Sequence, residues 1–275
     1  MKVPVLTYHS MKIHGNAYAD NDLVALAADL ETIHARGFRI VPLAHIVAEW
    51  VKSPAAWDGQ RIVALTCDDG ADFDFADLPH PTAGVQRSVM NILRDFHARR
   101  RDASPHVTSF VIVSPEARRE LDRSCMIGRG WWNDTWWREA AASGFMDIAN
   151  HSWDHNHDAL PERFSHGVAR GTFRSIATQE LADAEIRVAQ SFLERHVPHR
   201  GNTLFAYPYG ERSEYLVHEY FPRFGPQLGL AAAFGDGPGY FEADANPWAV
   251  PRFVFGRDWK GPDGLERLLE AAARR

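Results

Sequence analysis

Apolar and polar residues alternate along the chain in short segments that predict strands and helices in turn. Apolar runs predict strands at "VPVLTY", "FRIV", "RIVALTC", "HVTSFVIV", "FMDIAN", "TLFAY", "LGLAAAF" and "WAVPRFVF". Apolar residues at helical spacing predict helices over 22–36, 42–50, 85–101, 131–143, 178–196, 214–224 and 264–274. Strands that alternate with helices in this way indicate a parallel α/β architecture.

The number of strands favours a barrel over an open sheet. Seven or eight strands in 275 residues fit one (β/α) barrel, complete or incomplete, and neither a Pro/Ser-rich linker nor an internal repeat divides the chain. We therefore expect a distorted (β/α) barrel of about seven parallel strands, with residues 1–275 forming a single domain. Residues 70–83, 116–130 and 156–176 lack a clear period and are expected to be irregular loops.

Composition and charge exclude several classes of protein. Apolar residues make up 45% of the chain and charged residues 24%, as in globular proteins, and the net charge of -6 leaves no basic surface for nucleic acid or anionic lipid. Two cysteines cannot form a disulfide framework. No apolar stretch has the length of a membrane span, and "MKVPVLTYHS" lacks the pattern of a signal peptide, so a cytoplasmic location is expected.

Polar residues with catalytic potential follow several predicted strands at their carboxyl ends. His9 ends the first strand, Asp68 and Asp69 end "RIVALTC", and His151 and His155 follow "FMDIAN". In a parallel barrel these ends share one face, on which active sites are built. Adjacent carboxylates repel each other unless a cation or a proton neutralises one of them. The aspartate pair is therefore either part of a site or, in Asp69-Gly70, only a turn.

The stretch "NHSWDHNH" is the strongest indication of a metal site. His151 and His155 are four residues apart and can converge on one ion, although His157 competes with His155 for that role. With one carboxylate added, two histidines form a three-ligand site that leaves positions open for water, as catalytic zinc requires. A second carboxylate beside the cation would stay ionised and could act as a base.

Three motifs give the chain a resemblance to a known family. "TCDDG", "HSWDH" and "YPYG" resemble, in order and spacing, the first three motifs of the polysaccharide deacetylases, which are the family 4 carbohydrate esterases with a NodB-homology domain. The opening "VPVLTYHS" resembles the start of the circularly permuted poly-N-acetylglucosamine deacetylase subgroup. The resemblance extends from residue 3 to about residue 255.

The resemblance implies a role for each matching residue. Asp68 would be the catalytic base, and Asp69, His151 and His155 would bind one divalent ion, with zinc first and cobalt, nickel or iron as alternatives. The motif spacing selects His155 over its neighbour. The backbone N–H of Tyr209, in "YPYG", would donate a hydrogen bond to the oxyanion.

The sequence departs from the family pattern at three positions. Ala206 stands where the family has an arginine that orients the base; Arg252 in "VPRF" could fill that space, or could be only a structural ion-pair partner. No histidine follows His218, so the usual late general acid is missing. In the permuted subgroup this histidine comes from the first strand, which here supplies His9, unless His9 is an ordinary core histidine. The fourth motif is altered, with Trp248 after a proline.

These features together predict a metal-dependent amide hydrolase that removes an N-acyl group, in the first instance acetyl, from an amino sugar or N-acetylated saccharide. One alternative is a hydrolase of a small non-sugar amide or imide. Another is a carbohydrate-binding relative that has lost its activity. We expect no nucleic-acid partner and no membrane insertion. The tryptophans between residues 131 and 137 are expected to pack in the core rather than to contact a sugar.

Overall fold

The computed structural model describes residues 1–126, 128–164, 167–197, 200–235 and 237–274. Its strands are β1 (Lys2–Val3), β2 (Val5–Tyr8), β3 (Arg39–Ile40), β4 (Ile62–Asp69), β5 (Leu78–His80), β6 (Gly84–Gln86), β7 (Val107–Val111), β8 (Met146–Asn150), β9 (Leu204–Ala206), β10 (Ala232–Phe234), β11 (Phe241–Glu242) and β12 (Phe253–Val254). Its α-helices are α1 (Asp22–Ala35), α2 (Leu43–Lys52), α3 (Val89–Arg99), α4 (Pro115–Cys125), α5 (Trp137–Ala142), α6 (Gln179–Ala182), α7 (Val188–His196), α8 (Phe221–Phe224) and α9 (Pro262–Ala273).

Seven of these strands form one parallel sheet in the order β12-β2-β4-β7-β8-β9-β10, and β3 pairs with the start of β4. A bridge between Phe234 and Val250 joins β10 to the segment that leads into β12, so the two edges of the sheet approach each other. The sheet is therefore curled into a distorted barrel. This confirms the predicted fold class and places the first predicted strand beside the last.

The two faces of the sheet pack into different apolar clusters. Val5, Ala64 and Phe110 belong to the cluster inside the barrel, whereas Leu6 and Leu65 belong to the cluster between the sheet and the outer helices. Side chains alternate between the faces of a strand, and strands covered on both sides are apolar throughout. This alternation determines which polar residues at the strand ends point into the barrel.

Several predicted boundaries were wrong. Residues 116–130 are not an irregular loop, because α4 occupies Pro115–Cys125. Its buried face includes Arg118 and Asp122, so a helical period of apolar residues is missing from the sequence. Similarly, residues 78–86 form the β5–β6 hairpin, and α5 covers only part of the predicted helix at 131–143.

The predicted helix at 178–196 exists but is not a regular α-helix. A π-helical turn, Asp183–Arg187, separates α6 from α7, and a second one, Leu216–Tyr220, precedes α8. π-turns are rare and often lie near functional sites. Within the described parts of the chain, no helix combines the length and apolarity that crossing a membrane requires.

Candidate active site

A cleft of about 900 Å³ opens at the carboxyl ends of the parallel strands. Every candidate residue selected from the sequence lines it: His9, Asp68, Asp69, His151, His155, Tyr209 and Arg252. The barrel topology thus brings together side chains up to 243 positions apart (252 minus 9).

Strand alternation explains why most of these side chains face inward. Thr7 and Thr66 hydrogen-bond to each other across the neighbouring strands β2 and β4, at 2.9 Å. His9 and Asp68 lie two positions further along, on the same side of each strand. By the same rule, His151 follows the interior residue Ala149.

Asp69 is on the opposite side of the alternation and reaches the cleft by a different route. Its backbone is left-handed, with φ of 75°, and the next residue, Gly70, has φ of 74°. A side chain at Gly70 would lie 2.5 Å from Cγ1 of Val111, so only glycine fits. Asp69-Gly70 is therefore both a turn and part of the site, and the turn directs the Asp69 carboxylate towards the histidines.

Asp69, His151 and His155 form a group that could hold a metal ion. Oδ1 of Asp69 lies 3.6 Å from Nε2 of His151 and 3.6 Å from Nε2 of His155. One ligand atom from each residue lies within 4.8 Å of the others. Ligand atoms ~2.1 Å from a tetrahedral ion are about 3.4 Å apart, so the group has the dimensions of a three-ligand site.

The histidine tautomer also fits metal binding. Nδ1 of His151 lies 2.8 Å from the carbonyl oxygen of Ala206, which can only accept, so Nδ1 carries the proton and Nε2 keeps its lone pair. Burial, with the neighbouring His151, holds the pKa of His155 well below its usual value. With Nδ1 of His151 bonded to the carbonyl, its Nε2 is the nitrogen left to bind a divalent ion, as neutral imidazoles do.

The loop that carries His155 has an unusual backbone. Ser152, His155 and Asn156 all have positive φ, at 69°, 66° and 44°. The Ser152 hydroxyl accepts the N–H of His155 at 2.8 Å, and Asn150 Oδ1 accepts the N–H of Ser152 at 2.8 Å. These bonds provide acceptors for the backbone N–H groups of Ser152 and His155, while the imidazole of His155 lines the cleft.

His157, the competing ligand candidate, lies outside the group. Its Nδ1 is 3.1 Å from the Asp158 carboxylate and accepts the N–H of Ala159 at 3.0 Å. Its ring lies 5.5 Å from the ring of His155, centroid to centroid. The geometry therefore favours His155, as the motif spacing does.

Asp68 and Arg252 form a buried two-point ion pair. Nη1 and Nη2 of Arg252 donate to the two Asp68 carboxylate oxygens, each at 2.8 Å. Burial alone would raise the pKa of Asp68, but the charge and the hydrogen bonds of Arg252 outweigh it and hold the pKa well below its usual range. Arg252 is thus the ion-pair partner of Asp68, and Asp68 is ionised.

His9 lies at the end of β2, and its backbone N–H donates to Asp22 Oδ2 at 2.7 Å. Burial and the nearby Lys12 lower its pKa to about 4, although the charges of Asp69 and Asp68 act in the opposite direction. His9 is therefore largely neutral in the metal-free site. His9 follows β2, which pairs with β12, so it lies on the side of the cleft that is formed by the first and last strands of the sheet.

Tyr209 follows β9 in a tight turn, with φ of 59°. Its ring packs edge-on against the ring of His155, with centroids 4.5 Å apart, and 37% of its surface is exposed. Burial of the hydroxyl raises the pKa of Tyr209 above its usual value. The residue therefore forms part of the cleft edge beside the ligand group.

Trp132 is buried in an apolar cluster, as predicted for the tryptophans of this segment, but it also contacts Asp69, which the sequence did not predict. Nε1 of Trp132 donates to the carbonyl oxygen of Asp69 at 2.9 Å, and the indole lines the cleft. Trp136 and Trp137 are buried in the core, as predicted. The apolar pattern does not indicate which of these tryptophans also lines the cleft, because all of them lie in one short segment.

The match to a family model identifies the class of protein. The polysaccharide deacetylase model matches residues 57–220, and the chain belongs to that family. It is therefore a hydrolytic deacetylase of a family that acts on sugar polymers and uses a divalent metal ion. Among curated proteins, no sequence matches this chain significantly.

Solved structures of deacetylases share the fold. The deacetylase PplD of Streptococcus pyogenes, in complex with acetate, is 16% identical with a TM-score of 0.64, and the match covers 98% of both chains. IcaB from Ammonifex degensii is 18% identical with a TM-score of 0.60, over 99% of this chain and 97% of its own. A de-N-acetylase from Aggregatibacter actinomycetemcomitans is 13% identical with a TM-score of 0.62, over 98% and 100%. These likenesses agree with the resemblance to the permuted subgroup at the level of the fold.

Proposed function

We propose that this protein is a metal-dependent N-deacetylase that hydrolyses the acetamido group of an amino sugar within an N-acetylated saccharide. The observation that carries this proposal is the ligand group of Asp69, His151 and His155 beside the ionised Asp68. Both lie in a cleft that is large enough for a sugar ring.

Asp69, His151 and His155 would hold the ion, and a three-ligand set of this kind would leave coordination positions for water or substrate. When bound, the ion supplies Lewis-acid polarisation of the amide carbonyl and lowers the pKa of water. Zinc is the first candidate because the donor set is one carboxylate and two imidazoles, and cobalt, nickel and iron are alternatives.

The remaining steps use the side chains around this group. Asp68, held by Arg252, takes a proton from the attacking water. The backbone N–H of Tyr209 donates a hydrogen bond to the oxygen that becomes negative in the tetrahedral intermediate. His9 then donates a proton to the leaving amine. Because its pKa is about 4 in the metal-free site, His9 must first take up a proton from solvent, and at the end of the cycle Asp68 releases to solvent the proton that it took from water.

The intact ligand group argues against a relative that only binds carbohydrate. Such a protein has no need for three converging ligand atoms, or for a base paired with a buried arginine. A small amide or imide remains the alternative substrate, and a direct comparison of substrates separates the two.

The experiment is a measurement of acetate release by the metal-loaded protein from N-acetylated oligosaccharides and from small amides. We expect release from the saccharides, and none from the His151→Ala variant, which should fail to bind the ion. Faster hydrolysis of a small amide than of every saccharide would support the alternative substrate. Full activity in a protein stripped of metal would contradict the proposed chemistry.

A further inference from the structure

Residues 167–176, which come after the loop of His155 along the chain, pack onto that loop. Asn156 Nδ2 donates to the carbonyl oxygens of Ala169 and Thr172, at 2.8 and 2.7 Å. In return, the N–H of Gly171 donates to the carbonyl oxygen of Asn156 at 2.9 Å. The segment was expected to be an irregular loop, yet it makes direct hydrogen bonds one residue away from a proposed metal ligand.

Arg170 is the central side chain of this contact, and only 10% of it is exposed. Its Nη2 donates to Asp154 Oδ2 at 3.0 Å, and its Nη1 donates to the carbonyl oxygen of His157 at 3.4 Å. Asp154 precedes His155 and His157 follows it by two positions. Arg170 therefore holds the chain on both sides of His155.

The Asp154 carboxylate is buried and therefore needs a positively charged partner. Asp154 is 1% exposed, and its N–H donates to the buried carboxylate of Glu185 at 3.2 Å. Burial and the neighbouring Asp154 raise the pKa of Glu185 well above its usual value. Glu185 lies in the π-turn between α6 and α7, and its carbonyl oxygen also accepts the N–H of Trp153 at 2.7 Å. The ion pair with Arg170 Nη2, at 3.0 Å, supplies a positive charge to Asp154.

The backbone at His155 depends on such support. A non-glycine residue with left-handed φ costs roughly 1–3 kcal/mol and persists only when its surroundings hold it. His155 and Asn156 are two such residues in succession. The bond from the Asn156 N–H to Asp154 Oδ1, at 2.8 Å, closes this turn, so the same carboxylate bonds to the turn and to Arg170.

We propose that Arg170 is a positioning residue for the metal site: by binding Asp154 and the His157 carbonyl, it keeps His155 Nε2 within reach of Asp69 and His151. The proposal rests on the metal site of the proposed function. Removal of Arg170 leaves the buried Asp154 carboxylate without its ion-pair partner, so the turn relaxes and the three ligand atoms no longer converge. The site then loses affinity for the ion without the loss of any ligand.

The test is the affinity for Zn²⁺, measured by competition with a chromogenic chelator, together with thermal unfolding of the metal-free proteins. For Arg170→Met we expect metal affinity to fall about 10- to 100-fold, the range typical of residues that support metal ligands. Arg170→Lys keeps the charge but not the two-point geometry, and should recover part of the loss. The double variant Asp154→Asn/Arg170→Met keeps the Asn156 contact and removes the unpaired charge, and it should bind more tightly than Arg170→Met alone.

A matched control lies in the same segment. Arg174 is 71% exposed and its ion pair with Glu211 is long, at 3.6 Å, so Arg174→Met should bind Zn²⁺ within about twofold of the wild type. Wild-type affinity in Arg170→Met would overturn the Arg170 proposal alone. A fall in unfolding temperature with unchanged affinity would likewise reduce Arg170 to a structural role. A wild-type protein that binds no divalent ion would contradict the metal site itself.

Discussion

At the scale of single residues, the unusual backbone conformations of this protein are concentrated at the cleft. In the described part of the chain, five non-glycine residues have positive φ: Asp69, Ser152, His155, Asn156 and Tyr209. Three of them line the cleft and the other two lie in the loop of His155. Such conformations cost roughly 1–3 kcal/mol each. Within the described residues, left-handed backbone at non-glycine positions is therefore confined to the cleft and to the loop of His155.

Asp68 and its arginine allow a test of the base. Asp68→Asn keeps the shape and removes the negative charge, so turnover should fall about 10²- to 10⁴-fold, as expected for loss of a general base. Metal content, measured by elemental analysis, should stay at the wild-type value because Asp68 is outside the ligand group. Stability should also fall by about 3–5 kcal/mol in urea unfolding, because the buried Arg252 loses its partner. Loss of the metal would make Asp68 a ligand and contradict its role as base.

His9 can be tested through the leaving group of the substrate. An amine must be protonated to leave, whereas a nitrophenolate leaves unprotonated, so His9→Ala should reduce amide hydrolysis about 10²- to 10⁴-fold. Hydrolysis of a nitrophenyl acetate ester, measured by absorbance, should change much less. Equal losses on both substrates would show that His9 serves another purpose. His14→Ala, an exposed histidine on the rim of the same cleft, is the control.

At the scale of elements, the sequence predicted that polar residues at the carboxyl ends of the strands would share one face. Alternation along the strands explains why His9, Asp68 and His151 face the barrel, because each follows an interior residue by two positions. Asp69 was also selected from the sequence, but it reaches the cleft through a left-handed turn that the sequence did not predict. The apolar pattern missed α4, whose buried face contains Arg118 and Asp122. A pattern of apolar residues cannot detect a face that is buried by ion pairs and hydrogen bonds.

The turn at the end of β4 provides a test with a built-in control. A methyl group at Gly70 would lie 2.5 Å from Val111, whereas one at Gly84, with an almost equal φ of 73°, would contact nothing within 4 Å. Gly70→Ala should therefore destabilise the protein by about 1–3 kcal/mol more than Gly84→Ala in urea unfolding. It should also lower metal affinity, because Asp69 moves with the turn. Equal effects of the two variants would mean that the Val111 contact relaxes without displacing Asp69.

At the scale of the whole molecule, closure of the barrel completes the site. Arg252 reaches Asp68 across 184 positions because β12 lies beside β2 and because Val250 bridges to Phe234. The sequence predicted the barrel and the neighbouring first and last strands. It could not predict the two-point geometry of this ion pair, which depends on how far the sheet curls. The contacts of residues 167–176 with the loop of His155 were unpredictable for a similar reason, since they join residues of no regular period.

The end of β2, next to His9, is hydrogen-bonded to α1 through a buried carboxylate. Asp29 on α1 is fully buried and accepts hydrogen bonds from the hydroxyls of Tyr8 and Tyr18 and from Nε1 of Trp259, at 2.8, 2.5 and 3.1 Å. Tyr8 precedes His9, and Trp259 belongs to the chain that follows β12. Burial raises the pKa of Asp29 to about 6, although the three donors act in the opposite direction.

This group should make the stability of the protein depend on pH. Between the ordinary Asp pKa of 3.8 and the folded value of about 6, the folded state binds the proton more tightly than the unfolded state. The contribution is therefore fully present below pH 3.8 and is lost as the pH rises through about 6. Its size is about 1–3 kcal/mol for a shift of this order.

The variant Asp29→Asn cannot titrate. The stability difference between wild type and variant, from urea unfolding at pH 4 and pH 7, should therefore shrink by that amount as the pH rises. Asp22 and Asp74, whose pKa values burial also raises, are present in both proteins and cancel. Asp102→Asn, at an exposed position, should show a difference that is nearly constant across this range. A constant difference for Asp29→Asn as well would show that the three hydrogen bonds offset the effect of burial, and that Asp29 is ionised throughout.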